Sequence, residues 1–128
     1  MAHPISVKGV LFVDGKALLL RNDRDQWELP GGRMDAGETP TQTLQREFRE
    51  ELSLEVEPQG IIDSYVFEVL PRKFVSIVTY GCHLRGEFAP KVSEEHVEFG
   101  LHAVEELARL PLPAGYRRSI EAWSKNEM

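Results

Sequence analysis

The 128-residue chain is 41% hydrophobic and 28% charged, and its formal net charge is −6. This composition is typical of a compact globular protein, so we expect a single domain over residues 1–128 rather than a disordered or fibrous chain. The acidic balance argues against a general nucleic-acid binder, because such proteins need a basic surface to neutralise a phosphate backbone.

Cys82 is the only cysteine, and no apolar segment is long enough to span a membrane. A lone cysteine in a strand-like segment is typical of an inert core thiol, and it has no partner for an internal disulfide. The first residues contain no long apolar segment of the kind found in secretion signals. We therefore expect a cytoplasmic protein without a membrane partner.

Strands dominate the predicted elements. Apolar and β-branched residues predict a strand over Ile5–Val13, and an Asp-Gly turn joins it to a returning strand over 17–21. A short extended segment over 27–29 then ends at the turn signal Pro30-Gly31-Gly32. The later elements are predicted as one or two strands over 54–69, strands over 74–84 and 97–104, and helices over 105–110 and 116–125. Such a mixture favours a layered α/β or α+β domain.

The clearest helix in the sequence begins after Thr39. This residue is predicted to cap the helix, with Pro40 at the first helical position and Gln42 completing a capping box. An apolar residue then recurs every four positions, which predicts an amphipathic helix that ends near residue 52. The apolar residues of this face are Leu44, Phe48 and Leu52.

Three glutamates, Glu47, Glu50 and Glu51, form one arc of this helix directly beside its apolar face. Arg46 lies four residues before Glu50, a spacing at which an ion pair is feasible. On an exposed helix, like charges cost only about 0.2–0.5 kcal/mol per pair, so the arc can be an ordinary solvated face. If the arc is partly desolvated, the repulsion rises to about 2–3 kcal/mol and favours a bound cation such as Mg²⁺ or Mn²⁺.

The glycine turn before the helix completes a pattern with these glutamates. Gly31 and Gly32 let the backbone approach a ligand closely. Gly32 is followed by Glu38, Arg46-Glu47-Phe48, Glu50-Glu51 and Leu54. This spacing resembles the Nudix box, and eight of its nine fixed positions match. Ser53 is the departure, because the family usually has glycine there. Serine can adopt the left-handed conformation that ends such a helix at a modest cost.

The resemblance implies a mixed-sheet α/β/α sandwich that hydrolyses a nucleoside diphosphate linked to another group, with Mg²⁺ or Mn²⁺ as cofactor. It implies that Glu47, Glu50, Glu51 and the Gly31 carbonyl hold the metal. Arg46 would orient a glutamate, Glu38 would brace the loop, and Glu47 would act as general base. The family often takes one more carboxylate from a distant loop. The candidates are Glu95 first, then Glu94 and Glu98.

Substrate contacts outside the box are predicted less specifically, because each candidate also suits a structural or exposed position. The candidates are Arg21, Trp27, Gly32 and Arg33, with Tyr65, Phe67, Arg72, Lys73 and Phe74 as further possibilities. The expected partner is a small nucleotide or nucleoside diphosphate derivative. Dimers are common in the family, so a homodimer is compatible with the resemblance.

The sequence leaves three functions open. The first is a hydrolase of a nucleoside diphosphate derivative or a nucleoside triphosphate, as in the MutT-like branch of the family. The second is a Nudix-fold module that binds or senses a nucleotide without cleaving it. The third is an acidic protein-binding face on an unrelated fold. The intact glutamates favour the hydrolase, because a pure binder does not need all three.

Overall fold

The structure, a computed structural model, describes residues 3–127. The expected domain over 1–128 and the segment inspected for a secretion signal therefore lie partly outside the described residues. The strands are β1 (Ile5–Val13), β2 (Lys16–Arg21), β3 (Trp27–Glu28), β4 (Gly31–Arg33), β5 (Glu55–Leu70), β6 (Lys73–Arg85) and β7 (Glu98–His102). The helices are α1 (Pro40–Leu52), a 3₁₀ helix (Val104–Arg109) and α2 (Ala114–Ser124).

Most predicted elements are confirmed. β1 and α1 have the predicted bounds, and the segment over 54–69 is one continuous strand, β5. The short helix predicted over 105–110 is a 3₁₀ helix. The turn prediction at Gly31-Gly32 is wrong, because these residues pair with β1 as strand β4. A three-residue, glycine-rich segment shows no strand pattern, and its pairing with β1 depends on residues far away in the chain. The local sequence therefore indicates a turn.

The strands form one mixed sheet in the order β3-β2-β1-β6-β5, with β4 paired to β1 and β7 paired to β2. β1 and β6 run parallel, whereas the other pairs are antiparallel. Only the last two residues of β1 pair with β2, whereas residues near its start pair with β4. This change of partners brings the glycine-rich segment into the sheet beside the second half of α1.

Alternating side chains of β1 and β2 build a core on each face of the sheet. Val7, Leu11, Leu18 and Leu20 pack under α1. On the opposite face, the core under α2 contains Val10, Ala17 and Leu19. The expected α/β/α sandwich is therefore confirmed.

Helix α2 approaches the sheet closely at Gly81 of β6. A side chain at this position would collide with the Trp123 ring, so glycine is needed for this close contact. Among residues 3–127, no helix combines the length and the apolarity needed to cross a bilayer.

Candidate active site

Helix α1 begins and ends through local hydrogen bonds. The Thr39 hydroxyl accepts a hydrogen bond from the Gln42 amide, and the Gln42 side chain accepts one from the Thr39 amide at 2.9 Å. Ser53 ends the helix in the left-handed conformation, with φ of 56°. The predicted capping box and the left-handed conformation of Ser53 are both confirmed. Together they fix the first and last turns of α1.

The glycine-rich strand β4 lies directly against the acidic face of α1. Gly31 has φ of 135°, a backbone conformation that favours glycine. A Cβ atom on Gly32 would lie 2.7 Å from the Glu47 carboxyl carbon. Gly31 is therefore required by its backbone conformation and by its close contact with β1, and Gly32 leaves room for the Glu47 carboxylate.

The three glutamates differ in burial. The side chains of Glu50, Glu47 and Glu51 are 58%, 15% and 6% exposed. Burial raises the pKa of Glu51 to about 7, although the Gly31 amide donates to its carboxylate at 2.8 Å. Burial also raises the pKa of Glu47. The arc thus runs from solvent into the protein, as its position beside the apolar face predicted.

Arg46 connects the loop to the glutamates. Its guanidinium donates to Glu38 at 2.6 Å, Glu47 at 3.0 Å and Glu50 at 3.2 Å, so the predicted Arg46–Glu50 ion pair is present. It also donates to the Arg33 carbonyl at 3.1 Å. The hydrogen bond from Arg46, together with one from the Asp35 amide, lowers the pKa of Glu38 to about 2. Arg46 therefore holds the acidic face and the glycine-rich strand in fixed relative positions.

Lys8, on β1, places a buried ammonium group beside this cluster. Its Nζ donates to the carbonyls of Leu29 at 3.2 Å and Gly31 at 3.3 Å. Burial opposes its charge, but neighbouring groups that include Glu28 and Glu51 raise its pKa above the ordinary value. The Gly31 carbonyl, a candidate metal ligand, is thus already an acceptor for a cation of the protein.

In the loop before β7, a histidine lies closer to the protein interior than the glutamates predicted there. Glu94 and Glu95 are exposed in a turn, and Glu98 pairs with Arg21. The side chain of His96, by contrast, is buried, with its Nε2 2.6 Å from Glu28 and its Nδ1 3.9 Å from Glu51.

As the side chains stand, no group of three or more His, Cys, Asp or Glu residues among 3–127 is arranged to hold a metal ion. Arg46 engages Glu47 and Glu50, and the Gly31 amide engages Glu51. The donor chemistry nevertheless suits Mg²⁺ or Mn²⁺, because carboxylates and a carbonyl share one side of the loop. Rotation of Glu47 and Glu50 away from Arg46 would free these oxygens.

A largely apolar pocket of about 520 Å³ opens between β5, β6 and the start of α2. Its polar groups include the Gln26 amide and the hydroxyls of Tyr65 and Tyr116. The Tyr116 ring lies 5.7 Å from Lys8 Nζ, so Lys8 connects the pocket to the carboxylates. A pocket of this volume is in the range that accommodates a nucleoside-sized ligand.

Comparison with known proteins identifies the fold and the family. The NUDIX domain family model matches residues 2–123. The chain belongs to the Nudix family. It is 40% identical over 65 residues to a MutT-like protein of Streptomyces ambofaciens, and this match covers 49% of this chain and 42% of that protein. It is 42% identical over 53 residues to an 8-oxo-dGTP diphosphatase of Haemophilus influenzae, and this match covers 41% of this chain and 38% of that protein.

The matched part therefore spans about two fifths of these two curated relatives. The crystal structure of a MutT protein from Methanosarcina mazei has the same fold, with a TM-score of 0.82 and 27% identity over 98% of this chain and 95% of that chain. The Nudix fold expected from the box is thus shared over nearly the whole chain.

The Nudix box residues come together in space, but the candidate substrate residues do not all reach the pocket. Arg21 forms ion pairs with Asp25 and Glu98 on the surface. Trp27 packs edge-on against His102, with ring centroids 4.5 Å apart. Arg33 is exposed, whereas Gly32 lies beside Glu47.

Of the weaker candidates, Tyr65 and Phe67 line the pocket. Arg72 lies in the exposed turn of the β5–β6 hairpin, and Lys73 and Phe74 follow it as exposed residues of β6.

Sequence reasoning missed Lys8, Glu28 and His96 in this Nudix protein. Lys8 interrupts the apolar run of a predicted core strand, a signal that could have marked it. Glu28 precedes the glycines by three residues. His96 directly follows Glu95, the first candidate for the extra carboxylate, but its orientation depends on contacts across the chain.

Proposed function

We propose that the protein hydrolyses the pyrophosphate bond of a nucleoside triphosphate, or of a nucleoside diphosphate linked to another group, with Mg²⁺ or Mn²⁺. One observation carries this proposal: the glutamates of α1 face a glycine-rich strand, and Lys8 joins that strand to a nucleoside-sized pocket. A pure nucleotide binder has no use for partly buried, mutually repelling carboxylates, because their burial costs stability.

The residues suit water attack on phosphorus. When bound, the divalent ion would neutralise charge on the phosphoryl oxygens and align the attacking water. Glu47 takes the proton of that water as its oxygen bonds to phosphorus and the bond to the leaving phosphate oxygen breaks. Burial raises the pKa of Glu47 in the metal-free protein, so this carboxyl accepts a proton more readily than an exposed glutamate.

The metal would be held by Glu47, Glu50 and Glu51 with the Gly31 carbonyl. Arg46 keeps Glu47 and Glu50 close together before the ion arrives, and the Gly31 amide positions Glu51. Glu38 accepts hydrogen bonds from Arg46 and from the Asp35 amide, and so it braces the loop that carries the glycines. Displacing Arg46 from Glu50 costs little, because that pair is largely exposed.

The pocket supports a base-containing substrate. Tyr65, Phe67 and Tyr116 supply aromatic surface, and Gln26 supplies an amide that can hydrogen-bond a base edge. Relatives of this chain are named as 8-oxo-dGTP diphosphatases. An oxidised purine nucleoside triphosphate is therefore the first substrate to test, with ADP-ribose as a comparison.

The test is a panel of nucleotides incubated with the protein, with and without Mg²⁺, and product analysis by mass spectrometry. Hydrolysis that EDTA stops, and that Glu50→Gln reduces by about 10²-fold or more, supports the proposal. Glu55→Gln is the matched control, because Glu55 follows the same helix outside the cluster. Saturable binding without products would instead show a nucleotide sensor. Absence of both hydrolysis and binding would favour a protein-binding face.

A further inference from the structure

The loop that precedes β7 is fixed to the end of α1 by backbone hydrogen bonds. The Lys91 amide donates to the Leu52 carbonyl at 2.8 Å, and the Ser93 amide donates to the Glu51 carbonyl at 2.9 Å. A third bond, from the Val97 amide to the Arg21 carbonyl, holds the other end of the loop on β2. These contacts determine which side chain of the loop faces the glutamates.

That side chain is His96, which is only 6% exposed. Its Nε2 donates to the Glu28 carboxylate at 2.6 Å. Its Nδ1 is buried without a hydrogen-bond partner among the described residues, and it lies 3.9 Å from a Glu51 oxygen. A buried polar atom without a partner costs stability unless a ligand satisfies it.

This arrangement has the form of a histidine prepared for metal binding. Metal-ligating histidines usually donate their other ring N–H to a carboxylate, which fixes the ring and leaves the second nitrogen free to ligate. Glu28 is that carboxylate here. Two ligands of one octahedral ion lie about 3–4 Å apart, so the separation between Nδ1 and Glu51 needs little adjustment.

We propose that His96, oriented by Glu28, is a nitrogen ligand of the divalent ion bound by Glu51. The proposal rests on the proposed function only in requiring a divalent ion at the glutamates. It replaces the carboxylate expected from this loop with an imidazole. Because imidazole binds first-row transition-metal ions more tightly than Mg²⁺, the site should favour Co²⁺, and to a smaller degree Mn²⁺, over Mg²⁺ more strongly than an all-oxygen site does.

Pulsed electron paramagnetic resonance of the Mn²⁺-loaded protein tests this directly. Electron spin echo modulation detects nitrogen bonded to Mn²⁺, and labelling only histidine with ¹⁵N distinguishes imidazole from backbone amides. The expected result is a ¹⁵N signal that is lost in His96→Gln. The signal should be retained in His83→Gln, an exposed histidine that pairs with Glu127.

Mn²⁺ affinity gives an independent measurement. His96→Gln should raise the Kd for Mn²⁺ by about 10–100-fold and the Kd for Mg²⁺ by less, and Glu28→Gln should weaken Mn²⁺ binding in the same direction. Mn²⁺ bound without a histidine signal would overturn this inference and leave the proposed function intact. Absence of Mn²⁺ binding would overturn both. If His96→Gln fails to fold, the labelled wild-type protein and the variants of the other histidines still decide the question.

Discussion

The buried ammonium group of Lys8 donates to the carbonyl of Gly31 at 3.3 Å. The same group is close enough to Glu28 and Glu51 for their charges to raise its pKa against the effect of burial. The protein therefore places a cation of its own beside the oxygens that we assign to the metal. This contact stabilises the carboxylates in the metal-free protein, and it limits how far Gly31 can move.

Replacement of this cation should destabilise the metal-free protein. Lys8→Met leaves buried carboxylates without their partner, which typically costs about 3 kcal/mol in the free energy of unfolding at pH 8. The loss should be smaller at pH 5, where the carboxyls with raised pKa can protonate. Urea denaturation in EDTA measures both values, with Lys16→Met as an exposed control. Equal stability of Lys8→Met and wild type at pH 8 would contradict this account.

The raised pKa of Glu51 predicts a pH dependence of stability. Its folded-state pKa of about 7 exceeds the ordinary value of 4.5, so the native protein loses stability as pH rises between these values. Glu51→Gln lacks this charge and should be the more stable protein at pH 8 in EDTA, by up to about 3 kcal/mol. The two proteins should converge near pH 4.

A profile of Glu51→Gln parallel to that of wild type would show that Glu51 is not the titrating group.

Arg46 should matter for turnover far more than its neighbour Arg49. Arg46→Ala removes hydrogen bonds to Glu38, Glu47 and Glu50 and should reduce kcat by about 10–100-fold, the usual effect of losing a group that orients metal ligands. Arg49→Ala removes only an exposed pair with Glu55 and should leave kcat unchanged. Steady-state kinetics on the two variants makes the comparison, and equal losses would refute the assigned role.

Ser53→Gly should stabilise the protein without changing its activity. Serine in the left-handed conformation costs about 1–2 kcal/mol relative to glycine, and the greater freedom of glycine in the unfolded chain offsets part of this gain. We expect a net increase of up to about 1 kcal/mol in the free energy of unfolding. Thermal denaturation checks this, and a lower Tm would mean that the serine hydroxyl stabilises the helix end.

Gly115→Ala should disturb the pocket. A Cβ atom at this position would collide with the Tyr65 hydroxyl, so the ring must move relative to the bound base. We expect KM to rise by about tenfold while kcat stays close to wild type, because the change lies away from the carboxylates. Gly60→Ala is the control, since nothing lies within 4 Å of a Cβ at that position. A fall in kcat at constant KM would indicate a different role for the pocket.

Local signals account for what the sequence predicted well. The bounds of α1 follow from Thr39, Pro40, Gln42 and the apolar spacing, all of which act within a few residues. The acidic face was predictable for the same reason, because helical geometry alone decides which side chains share it.

The unpredicted features depend on contacts between distant parts of the chain. β4 is a strand only because the first part of β1 pairs with Gly31–Arg33 and not with β2. His96 faces Glu51, and Glu95 does not, because two backbone hydrogen bonds fix the loop on α1. No pattern in the sequence encodes either placement. Lys8 is the exception, because a lysine within an apolar strand is visible without a structure.

The alternation of β1 between two cores has a practical consequence for redesign. One face of this strand packs against α1, the other packs against α2 beside the pocket, and its backbone pairs with β4. A substitution in β1 will therefore alter turnover and ligand choice together. Substitutions meant to change the preferred base without changing kcat should therefore be confined to the pocket residues of β5 and to the first turn of α2.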